Sequence, residues 1–287
     1  QSGTLTVAVT TANNIPISIV LKDNATNQNT PFTTPSANTA TIDAHAPVIS
    51  SVTFAGSTGT LWIGSSTNAT LASDGTGYTA GTMTINGKNV ALTLQSAGGN
   101  NYRATYTVAE NDTDIADSAD LPVSFTLVDT AGNSSTAYTT ADIAGRPGVD
   151  GHRPVISSVA IPSRSYKIGD TIRATTTVSS DTDTYSLGAT TINNVSATNK
   201  VKVNATTYTF DYTVQSGDTD RTSNTIPVSV ILIDSAGNPS SPAFTAADAN
   251  TATIDAHAPV VSSVTFAGST GTLWIGSSTI ATINSDG

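Results

Sequence analysis

The stretch TATIDAHAPVISSVTF at Thr39–Phe54 returns at Thr251–Phe266 as TATIDAHAPVVSSVTF, and a diverged third copy, GVDGHRPVISSVAI, lies between them at Gly148–Ile161. Aligned on Pro47, Pro154 and Pro259, the copies stand 107 and 105 residues apart, the length of one small domain. Self-similarity at a fixed period marks an array of structural modules. Between Ala37–Gly75 and Ala249–Gly287 only four of 39 positions differ (Ile49/Val261, Asn68/Ile280, Leu71/Ile283, Ala72/Asn284), so the full repeat is a pair of modules 212 residues long. On this frame residues 1–46 are the C-terminal part of a module, 47–153 and 154–258 are complete modules, and 259–287 are the N-terminal part of another.

Hydrophobic residues alternate with polar ones across short runs, the period of half-buried strands. The first complete module offers strands at Val48–Phe54, Thr67–Ser73, Thr82–Asn86, Val90–Gln95, Tyr102–Val108, Leu121–Val128 and Ser135–Ile143. Asn86-Gly87 between two such runs is a hairpin signal, because both turn positions favour positive φ. The second module ends with candidates at Tyr208–Val214, Ile226–Ile233 and Ala243–Thr253, and no stretch carries a helical period. About seven short strands per module predict an all-β chain of tandem Ig-like Greek-key β-sandwich domains, joined end to end by short linkers. Gln1–Ala46 (TLTVAVTT, then IPISIVLKD) lacks the front strands, and Pro259–Gly287 holds only the first two. Two strands bury too little to be stable alone, so both ends are expected to need neighbouring chain or another copy.

Composition narrows the function. Eleven Lys and Arg stand against 21 acidic residues, a net charge of −10, which argues against nucleic acid, whose phosphates need a basic face. No apolar run reaches membrane-spanning length, and a secretion signal is expected outside these residues. The chain has no Cys, so disulfides and cysteine metal sites are excluded. Of the acids only Glu110 is Glu, and the rest are Asp, a turn residue and a hard-cation ligand.

In an Ig-like sandwich the incoming linker, the B–C loop and the F–G loop share one end, while the A–B and E–F loops share the other. At the Pro154 junction this order gathers Asp112 and Asp114 from E–F, Asp150 from the linker, Asp181 or Asp183 from B–C, and Asp234 from F–G. At Pro259 the same roles fall to Asp218, Asp220, Asp255 and Asp286, and at Pro47 to Asp43, Asp74 and Asp129. Carboxylates from two modules and a short linker suit Ca²⁺, which takes six to eight oxygens in flexible geometry; the plainer alternative is that Asp only forms turns. His45, His152 and His257 each follow a linker Asp by two residues, and with no further His or Cys to complete a transition-metal site they read as junction packing. Trp62 and Trp274 sit in TLWIGSS where the second module has Lys167; a position that accepts Lys is exposed. There is no nucleophile motif, and the paired Asp recur with every module, whereas an active site is built once. No enzymatic activity is expected.

The chain resembles the bacterial Ig-like repeats of giant surface adhesins, of the biofilm-associated and repeats-in-toxin type. The resemblance covers the whole chain and rests on the Asp-containing junction before Pro-Val/Ile, on YKIGDTI at Tyr166–Ile172, on TYTVAENDTD at Thr105–Asp114 and DYTVQSGDTD at Asp211–Asp220, and on LVDTAGN at Leu127–Asn133 and LIDSAGN at Leu232–Asn238. Leu61 and Ser65 depart from the Tyr166 and Asp170 of the second module, and Asn24-Ala25-Thr26-Asn27 replaces a Gly-containing turn. The resemblance implies a secreted or cell-surface bacterial location and an extender role, with Ca²⁺ stiffening the junctions and neighbouring Ig-like modules as partners. Two alternatives stay open: modules that bind cell-surface glycans or partner cells through Trp62-type aromatics, and copies that pack sideways into a fibre or sheath.

Overall fold

A computed structural model describes residues 15, 17–33, 42–55, 59–94, 99–117, 119, 121–139, 146–179, 183–267 and 271–286. The chain divides into two compact units, Gln1–Gly151 and His152–Gly287. The described residues are all-β, and no helix is long and apolar enough to cross a membrane.

In the first unit the strands are β1 (Ile49–Ala55), β2 (Thr60–Leu61), β3 (Ser66–Ser73), β4 (Thr79–Ile85), β5 (Lys88–Asn89), β6 (Leu92–Leu94), β7 (Asn101–Thr107), β8 (Val123–Val128) and β9 (Gly148–Val149). One antiparallel sheet runs β1-β3-β7-β6 and the other β5-β4-β8. Bridges Phe125–Tyr138 and Val128–Ser134 extend the second sheet. This is the A-B-E-D over C-F-G arrangement of an Ig-like sandwich. Burial follows the pleat: every second residue of β3 and β7 is buried, with exposed or half-buried positions between, and Val52, Leu71, Ile85, Tyr106, Phe125 and Leu127 meet in one core. The Asn86-Gly87 turn has φ of 51° and 71° and sets Ile85 opposite Lys88, as the sequence signal requires.

The fourth strand starts earlier than its alternation suggests, because a bulge between Ala80 and Met83 interrupts its pairing with β8. Gly81 makes the bulge possible. A Cβ there would lie 2.2 Å from Thr126 Oγ1 and 3.2 Å from the Thr126 carbonyl oxygen, and Thr126 Oγ1 is already the acceptor for the Thr82 amide at 2.6 Å. Gly81→Ala is therefore expected to destabilise the first module by about 1–3 kcal/mol. Urea unfolding followed through β4 and β8 hydrogen exchange measures it, and an unchanged midpoint contradicts the close approach.

The second unit repeats the plan with β10 (Ile156–Ala160), β11 (Ser165–Lys167), β12 (Thr171–Val178), β13 (Ser186–Leu187), β14 (Thr191–Ile192), β15 (Val195–Ser196), β16 (Thr198–Lys202), β17 (Thr207–Thr213), β18 (Val228–Ser229), β19 (Leu232–Ile233), β20 (Thr253–Asp255), β21 (Val261–Ala267) and β22 (Ile280–Ser285). The sheet β10-β12-β17-β16 matches β1-β3-β7-β6, but the facing sheet is split into β13-β19 and β15-β14-β18. The break falls where Thr190 Oγ1 accepts from the Ile231 amide (3.1 Å) and donates to its carbonyl (3.2 Å). A side chain there takes the place of ladder bonds, so the single run Ile226–Ile233 becomes two short strands.

Alternation does not announce one kind of pairing. The stretches before Pro154 and Pro259 each hold a short strand: β9 pairs in parallel with β2, and β20 with β11. The linker Asp residues thus stand at the ends of sheet strands, which fixes their direction.

The terminal segments carry the same pairings, and among the described residues no second sheet covers them. β21 and β22 keep the register of β1 and β3, with Val264 opposite Ile283 as Val52 is opposite Leu71. Phe266 is 66% exposed where its counterpart Phe54 is 5% exposed. Ile19–Phe32 and Lys22–Gln28 repeat the Val230–Phe244 and Ile233–Pro239 bridges. The TLTVAVTT run and residues 140–143 of the last candidate strand of the first module lie outside the described residues.

Candidate metal centre

The E–F loops hold Asp residues two apart, and the structure gives the two different work. In the first unit Tyr106 faces the core from β7 and its hydroxyl donates to Asp112 Oδ2 at 2.7 Å. The Ala109 amide donates to the same oxygen at 2.9 Å, and Lys88 Nζ lies 2.8 Å from Oδ1. Asn86, at the hairpin tip, donates to the Tyr106 hydroxyl (3.2 Å) and to the Thr113 carbonyl (2.8 Å). Asp112 is fully buried. Burial pushes its carboxyl up, but the Ala109 amide, Lys88 and Tyr106 together hold it below the ordinary carboxylate range. The phenol of Tyr106 is raised, by burial first.

The second unit repeats this knot. Tyr212 donates to Asp218 Oδ2 at 2.6 Å, the Gln215 amide donates at 2.7 Å, and Asn193 reaches the Tyr212 hydroxyl and the Thr219 carbonyl. Burial, more than the hydrogen bond to Asp218, pushes the Tyr212 phenol up to about 12. Asp112 and Asp218 are thus tied to their own module. The signal was in the sequence: each lies six residues after a strand Tyr, in TYTV and DYTV.

The second Asp of each loop turns to the linker. Asp114 Oδ1 accepts from the Gly151 amide at 2.8 Å, and the Asp114 and Asp150 carboxylates come within 4.8 Å of each other. Asp220 Oδ1 accepts from the Ala256 amide at 2.7 Å. His257 Nδ1 lies 3.0 and 3.1 Å from the two Asp220 oxygens, and Asp255 Oδ1 accepts from the His257 amide at 3.1 Å. Ligand atoms of Asp220, Asp255 and His257 all lie within 4.8 Å of one another, and the three residues are exposed. The Ala256 amide first, then His257, hold Asp220 below the ordinary carboxylate range.

At the other end of the sandwich the two modules differ. In the first unit Asp74 Oδ1 accepts from the Val48 amide (2.9 Å) and the Tyr78 hydroxyl (3.1 Å). Asp129 Oδ1 accepts from the Ala131 and Asn133 amides, and Oδ2 from Asn133 Nδ2, each at 2.9 Å. Asn133 Nδ2 also reaches the Asp43 carbonyl at 3.1 Å, while the Asp43 carboxylate accepts from the His45 amide. Among the described residues, the carboxylates of Asp43, Asp74 and Asp129 are not gathered into one cluster. Asp286 repeats the role of Asp74, accepting from the Val260 amide at 2.7 Å.

In the second unit Asp234 Oδ1 accepts from the Gly237 and Asn238 amides, both at 2.7 Å. Its Oδ2 is buried and makes no hydrogen bond, and the residue is only 5% exposed. The carboxylates of Asp183 and Asp234 come within 4.8 Å of each other. Asp181 lies outside the described residues. A buried carboxylate oxygen without a donor is destabilised unless a cation or water answers it. The donor set is all oxygen, which fits a hard cation such as Ca²⁺ rather than a transition metal.

Comparison with known proteins adds little to this. No family model and no curated protein matches the chain. Among solved structures it is similar to titin domains I67–I69, in an E-to-A variant: 13% identity and a TM-score of 0.36, over 77% of this chain and 69% of that one. It is also similar to the D00-D0 domain of intimin, at 12% identity and a TM-score of 0.23, over 70% of this chain and 98% of that one. Domains 4–9 of the surface layer protein SbsC give 11% identity and a TM-score of 0.20, over 90% of this chain and 45% of that one. Likenesses this distant assign neither a site nor a function.

Proposed function

We propose that the chain is a spacer segment of a secreted or cell-surface bacterial protein, whose Ig-like modules, 47–153 and 154–258 with partial modules on either side, hold a distal binding region away from its anchor. Ca²⁺ at the junctions stiffens the array. The observation that carries this reading is the buried, donorless Asp234 Oδ2 beside the Asp183 carboxylate, in a module built to the same plan as its neighbour. Asp183 and Asp234 would hold the ion in the second module, and Asp114 and Asp150 are the linker-side carboxylates of the first. The ion supplies positive charge and oxygen coordination where carboxylates otherwise repel one another. The reading is non-enzymatic: the Tyr–Asp knots and the linker-facing Asp of the E–F loop recur in both complete modules, which suits a repeated mechanical task.

Small-angle scattering on the 287-residue chain tests it, in Ca²⁺, in chelator, and for Asp150→Ala in Ca²⁺. The expected result is a longer and better-defined maximum dimension in Ca²⁺, with Asp150→Ala resembling the chelated chain. The same dimension and spread in all three samples would remove calcium from the account.

A further inference from the structure

The two modules carry the same F–G turn, Asp129-Thr-Ala-Gly-Asn133 and Asp234-Ser-Ala-Gly-Asn238, with the same closing bond from the Asp amide to the Asn carbonyl at 3.1 Å. Their carboxylates nevertheless end in different states. Asp129 has a donor on both oxygens, because Asn133 Nδ2 reaches Oδ2. Asp234 has amide donors on Oδ1 only, and its Oδ2 is buried without a hydrogen bond. The neighbouring acid differs too. In the first module Asp74 receives the Val48 and Tyr78 donors, and its amide bonds the Val48 carbonyl at 3.1 Å. In the second, Ser179 takes that place, bonding the Val155 carbonyl at 2.9 Å. The acid is displaced to Asp183, whose carboxylate approaches Asp234 instead.

Building on the calcium reading above, we infer that the cation is bound at the N-terminal end of the second module and not at that of the first. One joint in every 212-residue pair then takes Ca²⁺, and the alternate joint takes none, its Asn133 Nδ2 donating to the Asp43 carbonyl instead. Asp286 repeats the Asp74 pattern, so the following module is again of the first kind. The exposed Asp220, Asp255 and His257 group satisfies itself: Asp220 receives the Ala256 amide and His257, and Asp255 receives the His257 amide. It contains no buried oxygen that calls for an ion. An array built this way alternates stiff and compliant joints, and its contour responds to Ca²⁺ at half of them.

Native mass spectrometry and titration calorimetry with Ca²⁺ on the 287-residue chain test the inference. One tight site per chain is expected. Asp234→Asn and Asp183→Asn should each weaken it at least about tenfold, the factor that 1.4 kcal/mol represents, while Asp129→Asn and Asp74→Asn leave it unchanged. Asn at 234 keeps the Oδ1 acceptor that the turn uses, and Asp183 lies outside the turn, so loss of affinity in both folded variants is not a folding effect. Two or more equal sites, or a loss in Asp129→Asn as large as in Asp234→Asn, overturns the alternation while leaving calcium in place. No binding by the unmodified chain overturns both readings.

Discussion

Asp112→Ala is expected to cost the first module about 3 kcal/mol, because it takes a charged acceptor away from a buried hydroxyl and an amide at once. Tyr106 keeps only the contact from Asn86, and the Ala109 amide loses its partner in the E–F turn. Lys88 is half exposed and returns to water, so the cost falls on the two neutral donors. Hydrogen exchange of the β7 amides in a urea series checks this, and Tyr106→Phe should show a smaller loss in the same direction. Acid gives an independent test. The Asp112 carboxyl lies below its ordinary value of 3.8 in the folded chain. A carboxyl whose folded pKa is depressed stabilises fully above its unfolded pKa and loses that stabilisation as pH falls through the folded value. The first module should therefore weaken below about pH 4, and Asp112→Asn should flatten that dependence.

Removing calcium is expected to lower the melting temperature of the second module by roughly 10 °C or more. The argument is mass action: an ion that binds only the folded state, present at about 100 times its Kd, contributes about 2.7 kcal/mol. In a domain of this size each kcal/mol moves the midpoint by about 4–8 °C. Asp183→Asn in Ca²⁺ should melt close to the chelated chain, and Ca²⁺ should no longer shift it. The sandwiches stay folded at room temperature without the ion, because Tyr166, Ile172, Tyr208, Phe210, Val230 and Leu232 form an apolar core that calcium does not touch. Far-ultraviolet circular dichroism in chelator checks that last point.

How far the sequence could be read depended on whether the deciding neighbour was local. The Ser66–Ser73 and Asn101–Thr107 strands follow from alternation alone, since one face of each meets the core. Asn86-Gly87 needs nothing beyond its own positive φ angles. The bulge at Gly81 and the break at Thr190 depend on Thr126 and Ile231, more than 40 residues away, and no local period records them. The parallel strands before Pro154 and Pro259 pair over only two or three residues, too few to show a period.

The Asp residues show the same limit. In Asn111-Asp112-Thr113-Asp114 residue type cannot say which acid turns inward; Tyr106 decides it, from the preceding strand. The Asp129 and Asp234 turns read alike, yet only one leaves an oxygen buried without a donor. The gathering of acids toward module ends follows from strand order, whereas the donors that satisfy each one come from the folded surroundings.

The most direct measurement of the account is a distance distribution between two spin labels, one on each complete module, at Ala91→Cys and Val203→Cys. Both positions are exposed, and the chain has no cysteine of its own to compete for label. Pulsed electron-electron resonance should give one narrow distribution in Ca²⁺, a broad one in chelator, and a broad one in Ca²⁺ when Asp234→Asn is added. Distributions of equal width in all three samples would contradict the claim that calcium sets the stiffness of the joint.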